Sequence, residues 1–188
     1  MLFNSLGFLA FFAALVPVYY LTAHRYRWAL LVAASVFFYA AFRVEYLALL
    51  FGVSLVAYGG ALAIGRTGGP APCGVEGRAR KACLTGAVVI VIGALGVAKF
   101  FPRAGLAGTV GLSFYSLSAV SYLVDVFRRD LTPERHPGRL LLYLAFFPKL
   151  LAGPIERARP FLEQLRVPAS FSAQGVGAPL YRFATGPP

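Results

Sequence analysis

The chain has 188 residues, enough for one domain, yet 59% are hydrophobic, 13% are charged and the mean hydropathy is +0.70. A soluble domain of this composition would have to hide several uncharged stretches of membrane-spanning length, which disfavours a soluble reading. The net charge of +11 comes from 18 Lys and Arg scattered in short clusters between apolar runs, not along a groove-tracking stripe, so it argues against nucleic acid and for loop charge that orients membrane spans.

From Met1 to Ala23 no side chain is charged, and the first basic residues, Arg25 and Arg27, follow the apolar run. A secretory signal has the reverse order, so this segment reads as a retained span. Five apolar runs follow one another: Leu2 to Ala23, Trp28 to Phe42, Tyr46 to Gly65, Ala82 to Ala98, and Ala104 to Val124. At about 1.5 Å per residue and about 30 Å of hydrocarbon, the first, third and fifth cross comfortably, while the second and fourth are short. Gly, Ala and Ser are frequent inside the runs, which predicts close helix packing in lipid. Tyr19, Tyr20, Tyr26, Trp28 and Tyr46 sit near run ends, where an aromatic belt belongs.

If all five runs cross, one side receives Arg25, Arg27, Arg66, Arg78, Arg80, Lys81, Arg128, Arg129, Arg135 and Arg139, and the other Arg43, Lys99 and Arg103. That excess makes the first side cytoplasmic and the amino terminus extracytoplasmic. The same residues would meet anionic headgroups, although no stretch of sequence is dense enough for a polybasic lipid site. Arg66 to Lys81, rich in Gly, Pro and charge, is the clearest loop. Cys73 and Cys83 lie in or beside it without a zinc spacing and read as unpaired thiols.

Beyond Leu131, TPERHPG reads as a polar turn. Leu140 to Leu151 is an apolar segment of about a dozen residues interrupted by Pro148 and Lys149. It is too short to cross as a straight helix, and its expected place is re-entrant or interfacial, covered by protein. The proline-rich stretch after Leu165 reads as a loop and the start of a further helix near Leu180, cut off before it is complete. The predicted fold is an all-α membrane protein, a polytopic transmembrane helix bundle of about five spans plus that re-entrant or interfacial segment.

Two blocks set polar groups beside long apolar runs, Gly111 to Asp130 and Phe146 to Leu165. On a helix, Ser118, Tyr122, Asp125 and Arg129 share one face, and Ser121 reaches Asp125 at i+4. Asp125 then either ends the span as a headgroup-level ion pair or lines a polar channel. In the second block Pro148, Gly153 and Pro154 break the helix, and Lys149, Glu156, Arg157 and Arg159 place charge at the mouth of a cavity. The alternative is a surface helix, Glu156 to Leu165, resting on the bundle through Ile155, Phe161, Leu162 and Leu165. The two histidines, His24 and His136, read as solvated loop residues and not as buried bases, and no hydrolase, zinc-protease or P-loop motif is present.

GLSFY at Gly111 to Tyr115, SYLVDVFR at Ser121 to Arg128, FFPKLLAGPIER at Phe146 to Arg157 and FLEQL at Phe161 to Leu165, together with the opening MLFNSLGFLAFF and YRWALLVAASVFFYAAFRVEYLALL, resemble the membrane-bound O-acyltransferase family. Within it they resemble the branch of alginate O-acetylation and teichoic-acid D-alanyl transfer proteins. The resemblance implies that residues 1–165 are the amino-terminal part of that membrane domain, an incomplete family fold, with 166–188 a loop and the start of the next helix. It further implies a multi-pass protein of the bacterial inner membrane that takes an acyl group, acetyl above all, from a cytoplasmic thioester donor, acetyl-CoA or an acyl carrier protein. The group passes through a central channel toward an extracytoplasmic polysaccharide, with an extracytoplasmic acetyltransferase as a possible partner and no tightly bound cofactor or metal. Ser113, Tyr115, Ser118, Ser121, Tyr122, Asp125, Arg128, Lys149, Pro154, Glu156 and Arg157 are the motif or channel candidates. The family's membrane-embedded histidine lies beyond the aligned region, and neither His24 nor His136 matches it. The chain alone is therefore expected to be inactive and to need the family's remaining helices. Two other readings stay open: a small carrier or flippase component guided by Asp125 and Lys149, weakened by the absence of an internal repeat, and a noncatalytic anchor or assembly protein.

Overall fold

The computed structural model describes residues 6–40, 45–66, 75–100, 111–147 and 157–166. Among them are seven α-helices and no strand: α1 (Leu6–Leu21), α2 (His24–Ala40), α3 (Glu45–Arg66), α4 (Val75–Phe100), α5 (Leu112–Arg128), α6 (Pro137–Ala145) and α7 (Ala158–Arg166).

The core is built where α3, α4 and α5 meet. Leu50, Val53, Ala57, Ala61 and Ile64 recur on one face of α3, and α4 contributes the small residues Ala87 and Ala98 with Val91 between them. Small residues permit the close approach expected from the sequence: a Cβ on Gly60 would stand 2.8 Å from Ala87 Cβ and 3.2 Å from a Leu123 methyl. α5 closes the triangle with Leu112, Ala119, Leu123 and Val126. Ahead of this core, α1 lays Phe11 and Leu15 against Ala34 and Phe38 of α2 and against Phe147.

The outward faces are apolar. Leu55 on α3 is 71% exposed and Val89 on α4 is 62% exposed, with Phe51, Ile90, Ile92 and Val97 beside them. An exterior of exposed large aliphatic groups, with small residues where α3 and α4 approach closely, is the arrangement of a helical membrane protein. Two helices are long and apolar enough to cross, Leu47–Arg66 and Gly77–Ala98. α1, α2 and α5 have 16, 17 and 17 described residues, at the lower bound of a span. Part of the predicted fifth run, residues 104–110, lies outside the described residues.

The fourth span corrects the sequence reading. Ala82–Ala98 looked short and Arg66–Lys81 looked like one loop, but α4 runs back to Val75 and has 26 residues. Glu, Ala, Arg and Lys are good helix formers, so EGRARKA extends the helix in spite of Gly77. α6 has nine residues, too few to cross, and its Leu140, Leu142, Tyr143, Leu144 and Ala145 are buried. It covers the first half of the predicted Leu140–Leu151 segment but starts earlier, at Pro137 in residues that the sequence reads as a turn, and 148–151 lie outside the described residues. α7 packs Ala158, Phe161 and Leu162 inward and leaves Arg159 and Glu163 outside as a 3.1 Å ion pair. That is the surface-helix alternative for the second block.

Candidate functional site

The ends of α1, α3 and α5 and the starts of α2, α4 and α6 gather at one pole of the bundle. Arg27 donates to the Thr22 carbonyl at 3.1 Å, closing the α1–α2 turn with a cation at a helix C-terminus, and its guanidinium lies 5.0 Å over the Tyr19 ring. Arg80 on α4 reaches across to α5, where Nη2 donates to the carbonyls of Val126 at 3.1 Å and Phe127 at 2.7 Å. These carbonyls lie in the last turn of α5, where that of Val126 also accepts from the Arg129 amide at 3.2 Å. Arg129 then turns the chain with φ of 67°, and the Asp125 carbonyl accepts from the amides of Asp130 and Leu131.

The segment after α5 is pinned by hydrogen bonds, although Asp130, Thr132 and Arg135 are exposed. The Glu134 amide donates to the Tyr122 hydroxyl at 2.9 Å, and Glu134 Oε1 accepts from the His136 amide at 3.2 Å just before α6. Tyr58 on α3 donates to the Arg135 carbonyl at 2.9 Å. The His136 ring packs edge-on against Trp28 with centroids 4.5 Å apart, and Gly138 is pressed against the same indole. This overturns one expectation. His136 is not a solvated loop residue, because its ring is half-buried and Nδ1 is buried without a hydrogen-bond partner. Trp28, near the start of α2, fills the space that a side chain at Gly138 would need.

Further along α2 and α5 lies a second polar region. Ser35 and Tyr39 on α2 and Ser116 on α5 are buried, and their hydroxyl oxygens have no partner. The Tyr39 and Tyr115 rings meet edge-on at 6.4 Å, and this ring pair marks an α2–α5 seam, with Ser35 one turn before Tyr39 on α2 and Ser116 next in sequence to Tyr115 on α5. Such a seam can solvate a neutral polar group without burying net charge. It holds no base next to a nucleophile, and no cluster of three or more metal-ligating side chains occurs among the described residues.

The structure divides the predicted candidates. Tyr115, Ser118 and Tyr122 are buried, Ser121 and Asp125 are half-buried, and Ser113, Arg128 and Arg157 are exposed. Arg129, predicted to continue the face of Ser118, Tyr122 and Asp125, caps α5 and leaves it. Lys149, Pro154 and Glu156 lie outside the described residues, as does the cavity mouth that the second block predicted. Ser35, Tyr39, Ser116 and Glu134 were not singled out from the sequence. Ser116 stands directly behind the GLSFY motif, and Glu134 gives no sign in TPERHPG that a turn carboxylate is buried.

Comparison with known proteins gives a consistent result. The chain is 32% identical over 184 residues to the probable alginate O-acetylase AlgI of Pseudomonas aeruginosa, covering 87% of this chain and 34% of that protein. The protein of the same name from Pseudomonas fluorescens is 35% identical over 170 residues, with 87% and 33% covered. That from Azotobacter vinelandii is 32% identical over 184 residues, with 87% and 36% covered. The chain thus spans about a third of the length of the curated relatives it matches. No protein-family model and no solved structure matches it.

Proposed function

From its homology to bacterial alginate O-acetylases over 87% of its length, we propose that this chain contributes the amino-terminal helices of a membrane O-acyltransferase. That homology is the observation that carries the reading. The enzyme takes an acyl group, acetyl in the first instance, from a cytoplasmic thioester donor and delivers it to an extracytoplasmic polysaccharide. The pole that gathers the basic residues faces the cytoplasm, in keeping with the positive-inside rule, and the amino terminus lies outside. The hydroxyls of Ser35, Tyr39, Tyr115, Ser116 and Ser118 form part of the polar wall around the acyl path. The lack of any hydrogen-bond partner for the buried Ser35, Tyr39 and Ser116 hydroxyls supports this role, since an unpaired buried hydroxyl is a net cost that a path for a polar group would offset.

No base is paired with a nucleophile among the described residues, which supports assigning the transfer chemistry to other parts of the enzyme. His136 is committed to Trp28 at the basic pole, and no nucleophile is paired with a base along the hydroxyl seam. The test is an acetyl-transfer assay with labelled acetyl-CoA and alginate, on membranes carrying this chain alone and on membranes carrying the Pseudomonas aeruginosa relative. The expected result is transfer in the second case and background in the first. Turnover by this chain alone would refute the assignment of its role.

A further inference from the structure

Two grooves adjoin on the outer side of α3. The first, about 530 Å³, is lined by Tyr58, Leu62, Gly65, Arg66, Thr132, Pro133 and Arg135, and no carboxylate faces it. The second, about 260 Å³, continues from Tyr58 toward the middle of the bundle along Phe51, Ser54, Leu55, Gly138 and Leu141. Arg66 and Arg135 are 69 positions apart in sequence, and two contacts bring them to one groove. Gly65 lets Pro133 lie on the last turn of α3, where a Cβ would come within 2.6 Å of the proline ring. Tyr58 then holds the Arg135 carbonyl at 2.9 Å.

We propose that this composite groove binds one anionic phospholipid, with its phosphate between Arg66 and Arg135 and an acyl chain along Phe51, Leu55 and Leu141. Charge complementarity fixes the headgroup end, since both lining charges are guanidinium groups suited to a phosphate. The apolar end presents no unpaired donor, because the Ser54 hydroxyl is already spent on the Leu50 carbonyl at 2.7 Å. Length agrees as well: fifteen residues of helix from Phe51 to Arg66 rise about 22 Å, and one leaflet with its headgroups is about 20–22 Å deep. No stretch of sequence is dense enough in basic residues for this role; the fold makes the site from two separated ones. The inference requires a membrane protein but not the transferase reading, so either can fail alone.

The experiment places the full chain in phosphatidylcholine nanodiscs doped with a phosphatidylglycerol or a phosphatidylcholine probe carrying a photoreactive group in its acyl chain. Labelled peptides are then mapped by mass spectrometry. The phosphatidylglycerol probe should label residues 45–66 and 137–141 in preference to the phosphatidylcholine probe. Arg66→Gln with Arg135→Gln should reduce that labelling by about tenfold or more, from the contribution of two basic residues near an anionic headgroup. Arg66→Lys with Arg135→Lys should restore most of it, while Arg78→Gln, outside the groove, should leave it unchanged. Equal labelling by both probes on the unaltered chain overturns the proposal whatever the variants do. So does labelling that survives the double glutamine change, or that coenzyme A competes away, which would assign the arginines to a soluble phosphate.

Discussion

The two polar regions of this bundle solve the cost of burial differently. At the basic pole, where Arg80 Nε and His136 Nδ1 are also buried without a partner, most polar groups are used to end helices: Arg80 Nη2 donates to carbonyls of α5, Tyr122 satisfies the Glu134 amide, and Glu134 satisfies the amide before α6. On the α2–α5 seam, the Ser35, Tyr39 and Ser116 hydroxyls are buried with nothing to bond. A polar group that completes a hydrogen-bond network has a structural reason to be there, whereas one left unpaired in a packed interior is a net cost. The contrast assigns the first region to architecture and makes the second the better place to look for what the bundle is for.

The sharpest way to break this contrast is Arg80→Met, which keeps the length of the stem but removes the donor to both carbonyls. Loss of a charged donor to buried acceptors should cost about 2–3 kcal/mol and fray the end of α5. It would be read as a lower unfolding midpoint in detergent and faster amide exchange at Arg129 to Leu131. A neutral Arg80→Met would mean that the pole is solvated and holds nothing together. Tyr122→Phe comes next. It strands the Glu134 amide and should cost about 1–2 kcal/mol, with added mobility confined to the segment between α5 and α6.

How far the sequence leads differs between these regions for the same physical reason. Helicity, the apolar exterior and a covered, non-crossing segment at Leu140 follow from run length, which is local, whereas its start at Pro137 is hidden in what reads as a polar turn. The grouping of Arg66, Arg80, Arg128 and Arg135 at one pole follows from helices that alternate in direction, so counting basic residues between runs anticipates it. The burial of Glu134 and the Trp28–His136 contact are not legible, because each depends on segments far apart in the chain that meet only when packed. The helical start of α4 could have been read from EGRARKA, whose composition favours helix, but the flanking Gly and Pro masked it. The αL turn at Arg129 also escaped, since nothing in FRRD demands a positive φ at that residue.

Tyr39→Phe is the smallest expected effect and the one that discriminates most. It makes the same chemical change as Tyr122→Phe, one hydroxyl lost from a buried ring, but at a hydroxyl with no partner. If the seam is as bare as the packing shows, deleting this oxygen strands no group and removes a desolvation cost. The unfolding midpoint should then be unchanged or raised by up to about 1 kcal/mol, opposite in sign to Tyr122→Phe. Ser116→Ala should behave like Tyr39→Phe, and the two together should be close to additive, because neither hydroxyl bonds the other. A loss of about 1 kcal/mol or more in either variant would show that a bound water or a polar group from outside these helices bonds the seam. That result would make the seam an occupied site, and the distinction between an architectural pole and an unpaired interior would no longer hold.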